Sequence, residues 1–137
     1  MIIRSMQIRD YMKQDVLILN PEMDTLKAAQ LLFKSNISGA PVLDEHGRLV
    51  GMLTERDCMQ VALQGYYHGE PGGQVKKHMS ADPEYVSPEN SILSVMERFI
   101  NGRFQRYPVV DNGRLVGVIA RQDVMRALAE YYPAHKQ

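Results

Sequence analysis

Two four-residue stretches carry the residue types that could do chemistry in this chain. They are Thr54-Glu55-Arg56-Asp57 and, 66 residues later, Ala120-Arg121-Gln122-Asp123. Each follows an apolar run and opens a helical pattern, which places its aspartate in a first helical turn. In the first copy the Thr54 hydroxyl can accept from a free backbone N–H while Asp57 reaches back, a capping box that contributes about 1 kcal/mol. The same helix start presents unpaired N–H groups and a partial positive charge, which suit an anionic or hydroxylated ligand. An ionised aspartate only accepts, so it can take two hydrogen bonds from a ribose diol. The second copy keeps the aspartate and has Ala120 where the hydroxyl was. Were capping the whole purpose, the hydroxyl is the part expected to persist. On these residues alone, capping and ligand binding both stay open. Arg56 and Arg121, beside the aspartates, read as solvent-facing.

Other chemistry has less support. Cys58 falls one residue into a helical apolar stripe and reads as a small core residue rather than a nucleophile. His46, His68, His78 and His135 show no close ligand pairing, so no zinc site is expected. The glycines from Gly69 to Gly73 lack the Lys-Ser/Thr of a phosphate-binding loop. No catalytic constellation is apparent, and the chain reads as a non-enzyme.

The elements that must position the two aspartates are themselves repeated. Gly47-Arg48-Leu49-Val50-Gly51 returns as Gly113-Arg114-Leu115-Val116-Gly117. Further upstream the copies match at one residue more: Pro41 with Pro108, Pro21 with Pro88, Met12 with Met79. The slip lies in a turn, where Asp44-Glu45-His46-Gly47 faces the shorter Asp111-Asn112-Gly113. Two copies point to a pseudo-symmetric pair rather than a solenoid.

Read in order, residues 1–9 are a lead-in. Val16 to Leu19 predicts a strand stopped at Pro21, and Asp24 caps a helix through Asn36 with Leu26, Ala29, Leu32 and Phe33 on its apolar face. Ala40–Asp44 and Arg48–Leu53 predict a hairpin. Thr54 then opens a helix with Cys58, Met59, Ala62, Leu63 and Tyr66 on one stripe. The stretch from Gly65 to Gln74, with four glycines and Pro71, reads as a connector between halves, and Tyr66, Tyr67 and His68 as the cover of a helix end. The order recurs: a strand at Glu84–Ser87, a helix capped by Asn90 or Ser91 with Ile92, Leu93, Met96, Phe99 and Ile100 inward, a hairpin of Tyr107–Asp111 and Arg114–Ile119, and a helix from Arg121 with Val124, Met125, Leu128, Ala129 and Tyr132 inward. The fold class is mixed α/β (α+β), each half strand-helix-strand-strand-helix, with motifs over residues 8–66 and 75–132 and a linker at 67–74. Such a half leaves one sheet face open, and two halves can close those faces on each other.

The bulk composition fits one module. The chain has 137 residues, 45% hydrophobic and 23% charged, with sixteen basic and sixteen acidic side chains. A balanced charge gives no global pull on nucleic acid or anionic membrane, and Lys76-Lys77-His78 reads as a solvated face. One cysteine rules out an internal disulfide and suits a reducing compartment. No apolar run approaches the roughly 18 residues of a membrane span, and the start lacks a signal-peptide core, so a cytoplasmic protein is expected. The nine methionines read as core filler.

The ordered set, found twice, of Pro-Val-hydrophobic-Asp, Gly-Arg-Leu-Val-Gly and a polar-x-x-Asp helix start resembles a tandem pair of cystathionine-β-synthase (CBS) domains, a Bateman module, over about Ile8 to Leu128. The resemblance implies motifs packed through their sheets, a homodimer, and adenosine-containing ligands (AMP, ADP, ATP or S-adenosylmethionine) in clefts between motifs. Carried over by position, one cleft would use Val118, Ala120 and Asp123 with Gln14, Val16, Ile37 and Ser38 opposite, and Arg106 on phosphate. The other would use Met52, Thr54 and Asp57 with Ala81, Pro83, Phe104 and Gln105 opposite. The first lacks the hydroxyl at Ala120, and the second has Gly39 where the first has Arg106. The clefts are therefore expected to be unequal, the Arg106/Asp123 cleft preferring nucleotides. Two function classes follow: a regulatory sensor of adenosine ligands, signalling through self-association or a partner protein, and a structural interaction module without ligand.

Overall fold

A computed structural model describes residues 6–69 and 72–135. Residues 1–5 of the expected lead-in and residues 70–71 of the glycine-rich stretch lie outside the described residues. The chain forms two compact units, one from Val16–Pro83 and one joining the N-terminal stretch up to Asp15 with Glu84 onward. Repeat and unit are thus different divisions of the chain.

In the Val16–Pro83 unit, helix α1 (Thr25–Ser35) starts where Asp24 accepts from the Lys27 amide at 3.1 Å and ends at Asn36, which adopts the left-handed conformation at φ 54°. Strands β1 (Gly39–Leu43) and β2 (Leu49–Thr54) form the expected hairpin. Helix α2 (Glu55–His68) follows β2 directly, capped by Thr54, and stops at the left-handed Gly69. A short helix α3 (Val75–His78) leads into β3 (Ser80–Ala81), which pairs antiparallel with β2 and completes a sheet ordered β1-β2-β3. Leu19, Ala28, Leu32, Ala40, Val42, Leu53, Cys58 and Val75 form its core.

The other unit repeats the plan. Helix α4 (Ile92–Asn101), capped by Ser91, precedes a hairpin of β4 (Arg106–Asp111) and β5 (Arg114–Ala120), and helix α5 (Arg121–His135) follows. Asn112 and Gly113 are the two loop residues, both at positive φ, the conformation that an Asn-Gly hairpin turn demands. Its core gathers Ile8, Val86, Ile92, Val95, Phe99, Val109, Ile119 and Ala127 among others.

The predicted strands at Val16–Leu19 and Glu84–Ser87 shrink to single parallel bridges. Leu19 bonds across to Pro41 and Leu43 at 2.9 and 3.0 Å, and Val86 bonds to Pro108 and Val110 at 3.0 and 2.8 Å. A proline two residues on leaves no room for a longer ladder. Residues 6–9 are not a lead-in: Ile8 opens a short 3-10 turn and is fully buried in the core. The described residues of the Gly65–Gln74 stretch, between the two repeats in sequence, belong to the Val16–Pro83 unit. The first of them finish α2, and the Gly73 carbonyl accepts from both the amide and the hydroxyl of Thr25, at 3.0 and 2.9 Å, which ties the stretch to α1.

That tie also corrects a helical face. Thr25 turns inward with Ala28 and Leu32, Ala29 is half-buried, and Leu26 and Phe33 are exposed, so the buried face takes only one side of the expected stripe. On α2 only Cys58 and Val61 are buried, and Met59, Ala62, Leu63 and Tyr66 face solvent. On α5 Val124 and Ala127 are buried, and Met125, Ala129 and Tyr132 are exposed. On α4 Ile92 and Phe99 are inward as expected, Val95 is buried with them although the stripe did not include it, Leu93 and Met96 are half-buried, and Ile100 is exposed. Tyr66 and Tyr67 meet edge-to-face at 5.1 Å and are exposed themselves rather than covering a helix end. Among the described residues no helix is long and apolar enough to cross a membrane.

The repeated Gly-Arg-Leu-Val-Gly acquires a structural cause at both ends. Its first glycines, Gly47 and Gly113, sit at φ 78° and 77° and close the turns. Its last glycines lie under segments that come from elsewhere in the sequence. A Cβ on Gly117 would stand 2.6 Å from the Lys13 carbonyl oxygen, and one on Gly51 would collide with the Met79 side chain. Gly117→Ala should therefore push the Met12–Lys13 segment off β5. The expected loss is about 1–3 kcal/mol, read as a lower urea midpoint, whereas Gly72→Ala, where a Cβ has only ordinary contacts, should leave the midpoint unchanged.

Candidate functional site

The two aspartates are held alike. Asp57 Oδ2 accepts from the Thr54 amide at 2.8 Å and from the Thr54 hydroxyl at 3.0 Å, and Thr54 Oγ1 accepts in turn from the Asp57 amide at 3.3 Å. Asp123 Oδ2 accepts from the Ala120 amide, also at 2.8 Å. The carboxylate is thus pinned through one oxygen to the last residue of the strand, whether or not that residue carries a hydroxyl. The first amide of each helix is taken by the chain before the opposite strand: Glu55 N donates to the Ser38 carbonyl at 2.8 Å, and Arg121 N to the Gln105 carbonyl at 3.2 Å.

In the unit containing Asp123, Arg106 opens β4 directly across from Ala120, so its Cα is placed at the strand end where the helix begins. Val118 lies two residues earlier on β5, buried, and exchanges two 2.9 Å backbone bonds with Lys13. Gln14, next along, is exposed. Phe104 stacks edge-on to Tyr107 at 5.8 Å, beside the exposed Gln105. In the Val16–Pro83 unit, Gly39 stands across from Thr54 where the other hairpin has Arg106. Met52 pairs with Ser80 and Gly51 with Ala81, while Ile37 and Ser38 form the turn into β1, both half-buried like Val16 and Pro83. Of each expected set, one part is gathered in one unit: Asp123, Ala120, Val118, Arg106 and Gln14 in the first, Asp57, Thr54, Met52, Ala81 and Pro83 in the second. Val16, Ile37 and Ser38 belong to the Val16–Pro83 unit, and Phe104 and Gln105 to the other.

Electrostatics separate the two aspartates. The Asp123 side chain is only 2% exposed, and its Oδ1 faces the Lys13 ammonium at 3.3 Å and the Arg126 guanidinium at 3.5 Å. Arg126 also donates to the Tyr11 carbonyl at 2.7 Å and lies 5.0 Å over the Tyr11 ring. The Tyr11 hydroxyl donates to Glu130 at 3.0 Å. Burial first, then that bond, raises the Tyr11 phenol above its usual pKa and keeps it a donor at neutral pH. Around Asp57 the bonds are those of the Thr54–Asp57 capping box. Lys13 and Arg126 were not singled out in the sequence, yet the repeat offset gives the signal: Ser80 stands at the place of Lys13, and Gln60 at that of Arg126.

Cys58 sits under the start of α2 with its sulfur 4.0 Å from the Thr25 carbonyl. Burial, and secondarily the neighbouring Asp57 charge, raises its thiol pKa. The thiolate is the reactive form, so alkylation of native protein by iodoacetamide at pH 7.5 should be much slower than that of urea-unfolded protein. Equal rates would contradict this placement.

Comparison with known proteins places these features. The CBS domain family matches the chain twice, over residues 8–64 and 74–130. The CBS domain-containing protein YhcV of Bacillus subtilis is 31% identical over 118 residues, covering 85% of this chain and 81% of its own length. The chain is 27% identical over 121 residues to protein MJ1225 of Methanocaldococcus jannaschii and spans 42% of that protein's length. The crystal structure of CBSX2 in complex with AMP is 26% identical, with a TM-score of 0.82 over 92% of this chain and 98% of that one.

Proposed function

Because the chain belongs to the CBS domain family, with one motif in each half of its sequence, we propose that it is a non-enzymatic regulatory module that binds an adenosine-containing ligand. AMP, ADP, ATP and S-adenosylmethionine are the candidates. The observation that carries the reading is the common placement of Asp57 and Asp123. Each is fixed through Oδ2 at 2.8 Å to the strand-end amide, and Asp123 keeps that position although its capping hydroxyl has gone. That bond is the carboxylate half of a capping box, and it orients the carboxylate as an acceptor that a ribose diol can use. The relative bound to AMP supports the same ligand class.

In this reading Asp123 takes the sugar and Arg106 the phosphate at one site, with Gln14, Val118 and Ala120 of the same unit. At the other site Asp57 and Thr54 take the sugar, with Met52, Ala81 and Pro83 of their unit. The sites are unequal, the first preferring nucleotides. A ligand at a hundredfold over its Kd adds about 2.7 kcal/mol of stability, so AMP should raise the melting temperature by several degrees. Asp123→Asn and Arg106→Ala should each weaken AMP binding about tenfold or more, measured by titration calorimetry. A flat thermal response to all four compounds would instead favour a structural module.

Output of the signal runs through self-association or a separate partner. The exposed apolar side chains repeat across the units: Met59, Leu63 and Tyr66 on α2, and Met125, Ala129 and Tyr132 on α5, each set spaced one and two turns along one face. A second copy of the chain offers the matching pair of stripes and is the proposed occupant. Leu63→Glu should shift the sedimentation mass from dimer to monomer while leaving the melting temperature of dilute protein nearly unchanged, and a monomeric wild type would refute it.

A further inference from the structure

The two sites differ most at a residue that the family resemblance did not bring forward. We propose that Lys13 selects the ligand at the Asp123 site, by holding the carboxylate oxygen that a ribose must take over and by moving to the anionic tail of the ligand that takes it. This rests on the adenosine-binding reading of the same site.

Asp123 is almost fully buried, and Oδ2 is committed to the Ala120 amide. Only Oδ1 remains for a sugar hydroxyl, and it already faces two cations. Those cations are not equivalent. Arg126 is anchored by the Tyr11 carbonyl, by the Tyr11 ring and by Glu130 at 3.9 Å. Lys13 is held at its backbone by the paired bonds to Val118 over Gly117. Its side chain is 65% exposed and touches Asp123 at its tip. A flexible four-carbon stem with a compact charge can leave one anion for another at little cost.

The consequence is a selection rule. An uncharged nucleoside must displace the ammonium and gives it nothing in return. A ligand with a phosphate displaces it and offers a new partner. The Asp57 site has no such filter, since Ser80 and Gln60 occupy the corresponding places and neither can carry a positive charge. The discrimination is thus a property of one unit, created by one residue difference on a segment that both units possess.

The test is calorimetric titration with AMP and with adenosine, in an Asp57→Asn background so that the Asp123 site reports alone. Lys13→Met should lower the ratio of AMP to adenosine affinity about tenfold, the scale of one charge-assisted hydrogen bond, with adenosine itself binding as tightly as before or more tightly. Lys13→Arg should restore most of the ratio. A purely structural lysine would weaken both ligands together and leave the ratio unchanged, which overturns the proposal while the adenosine reading stands. If neither compound binds any version of the protein, including the chain with Asp57 intact, the adenosine reading falls and takes this inference with it.

Discussion

The structure depends on one close approach, repeated: a backbone segment lying on a glycine of the central hairpin. The Lys13 carbonyl presses on Gly117 and the Ser80 carbonyl on Gly51, where a Cβ would stand 2.6 and 3.0 Å away. No other residue type leaves that space. Because the approach is made by Met12–Lys13 on one hairpin and Met79–Ser80 on the other, each unit is completed by a stretch from the opening residues of the other repeat. The first residues of each repeat are therefore working parts of the strand pairing. Ile8 and Val75, just ahead of those stretches, are fully buried for the same reason. Burying a side chain of that size contributes about 1.5–3 kcal/mol.

That constraint explains what the sequence could and could not disclose. The hairpins, the caps at Asp24, Thr54 and Ser91, and the Asn112-Gly113 turn are local features with local signatures, and they stand within a residue of where periodicity and turn chemistry put them. The repeat offset located the paired aspartates without any structural knowledge. The pairings of Lys13 with Val118 and of Ser80 with Met52 are different in kind. They involve one or two residues on a short segment and have no period to detect, and their partners lie 105 and 28 positions away. Only the conserved spacing of Met12 and Met79 within the chain hinted that these stretches mattered.

The helix faces failed in an instructive way. Apolar periodicity marks every hydrophobic residue of a helix, including those that serve a surface. On α1, a single threonine bonded twice to Gly73 fixes the rotation, and Phe33 is 86% exposed as a result. On α2 and α5 the apolar stripe is broader than the buried face, and its outer part repeats in both units. A stripe that is too wide for its core is as legible in sequence as a well-fitted one, and the sequence cannot tell which edge turns inward.

Pseudo-symmetry finally sets the terms on which the two sites can diverge. The carboxylate position is locked by backbone geometry common to both units, so neither unit can move its aspartate without disturbing the junction of strand and helix. Divergence is left to the side chains at the strand end and around the carboxylate. One unit has Arg106, Lys13 and Arg126 at the places where the other has Gly39, Ser80 and Gln60. Three positive charges against none is a large contrast for a chain whose total charge is zero. The Lys13 and Arg126 ends of these pairs are about half exposed, while the Asp123 end is buried and needs compensating charge or hydrogen bonds. A buried carboxylate facing one anchored and one exposed cation is thus the chief chemical difference between the two copies of a duplicated fold.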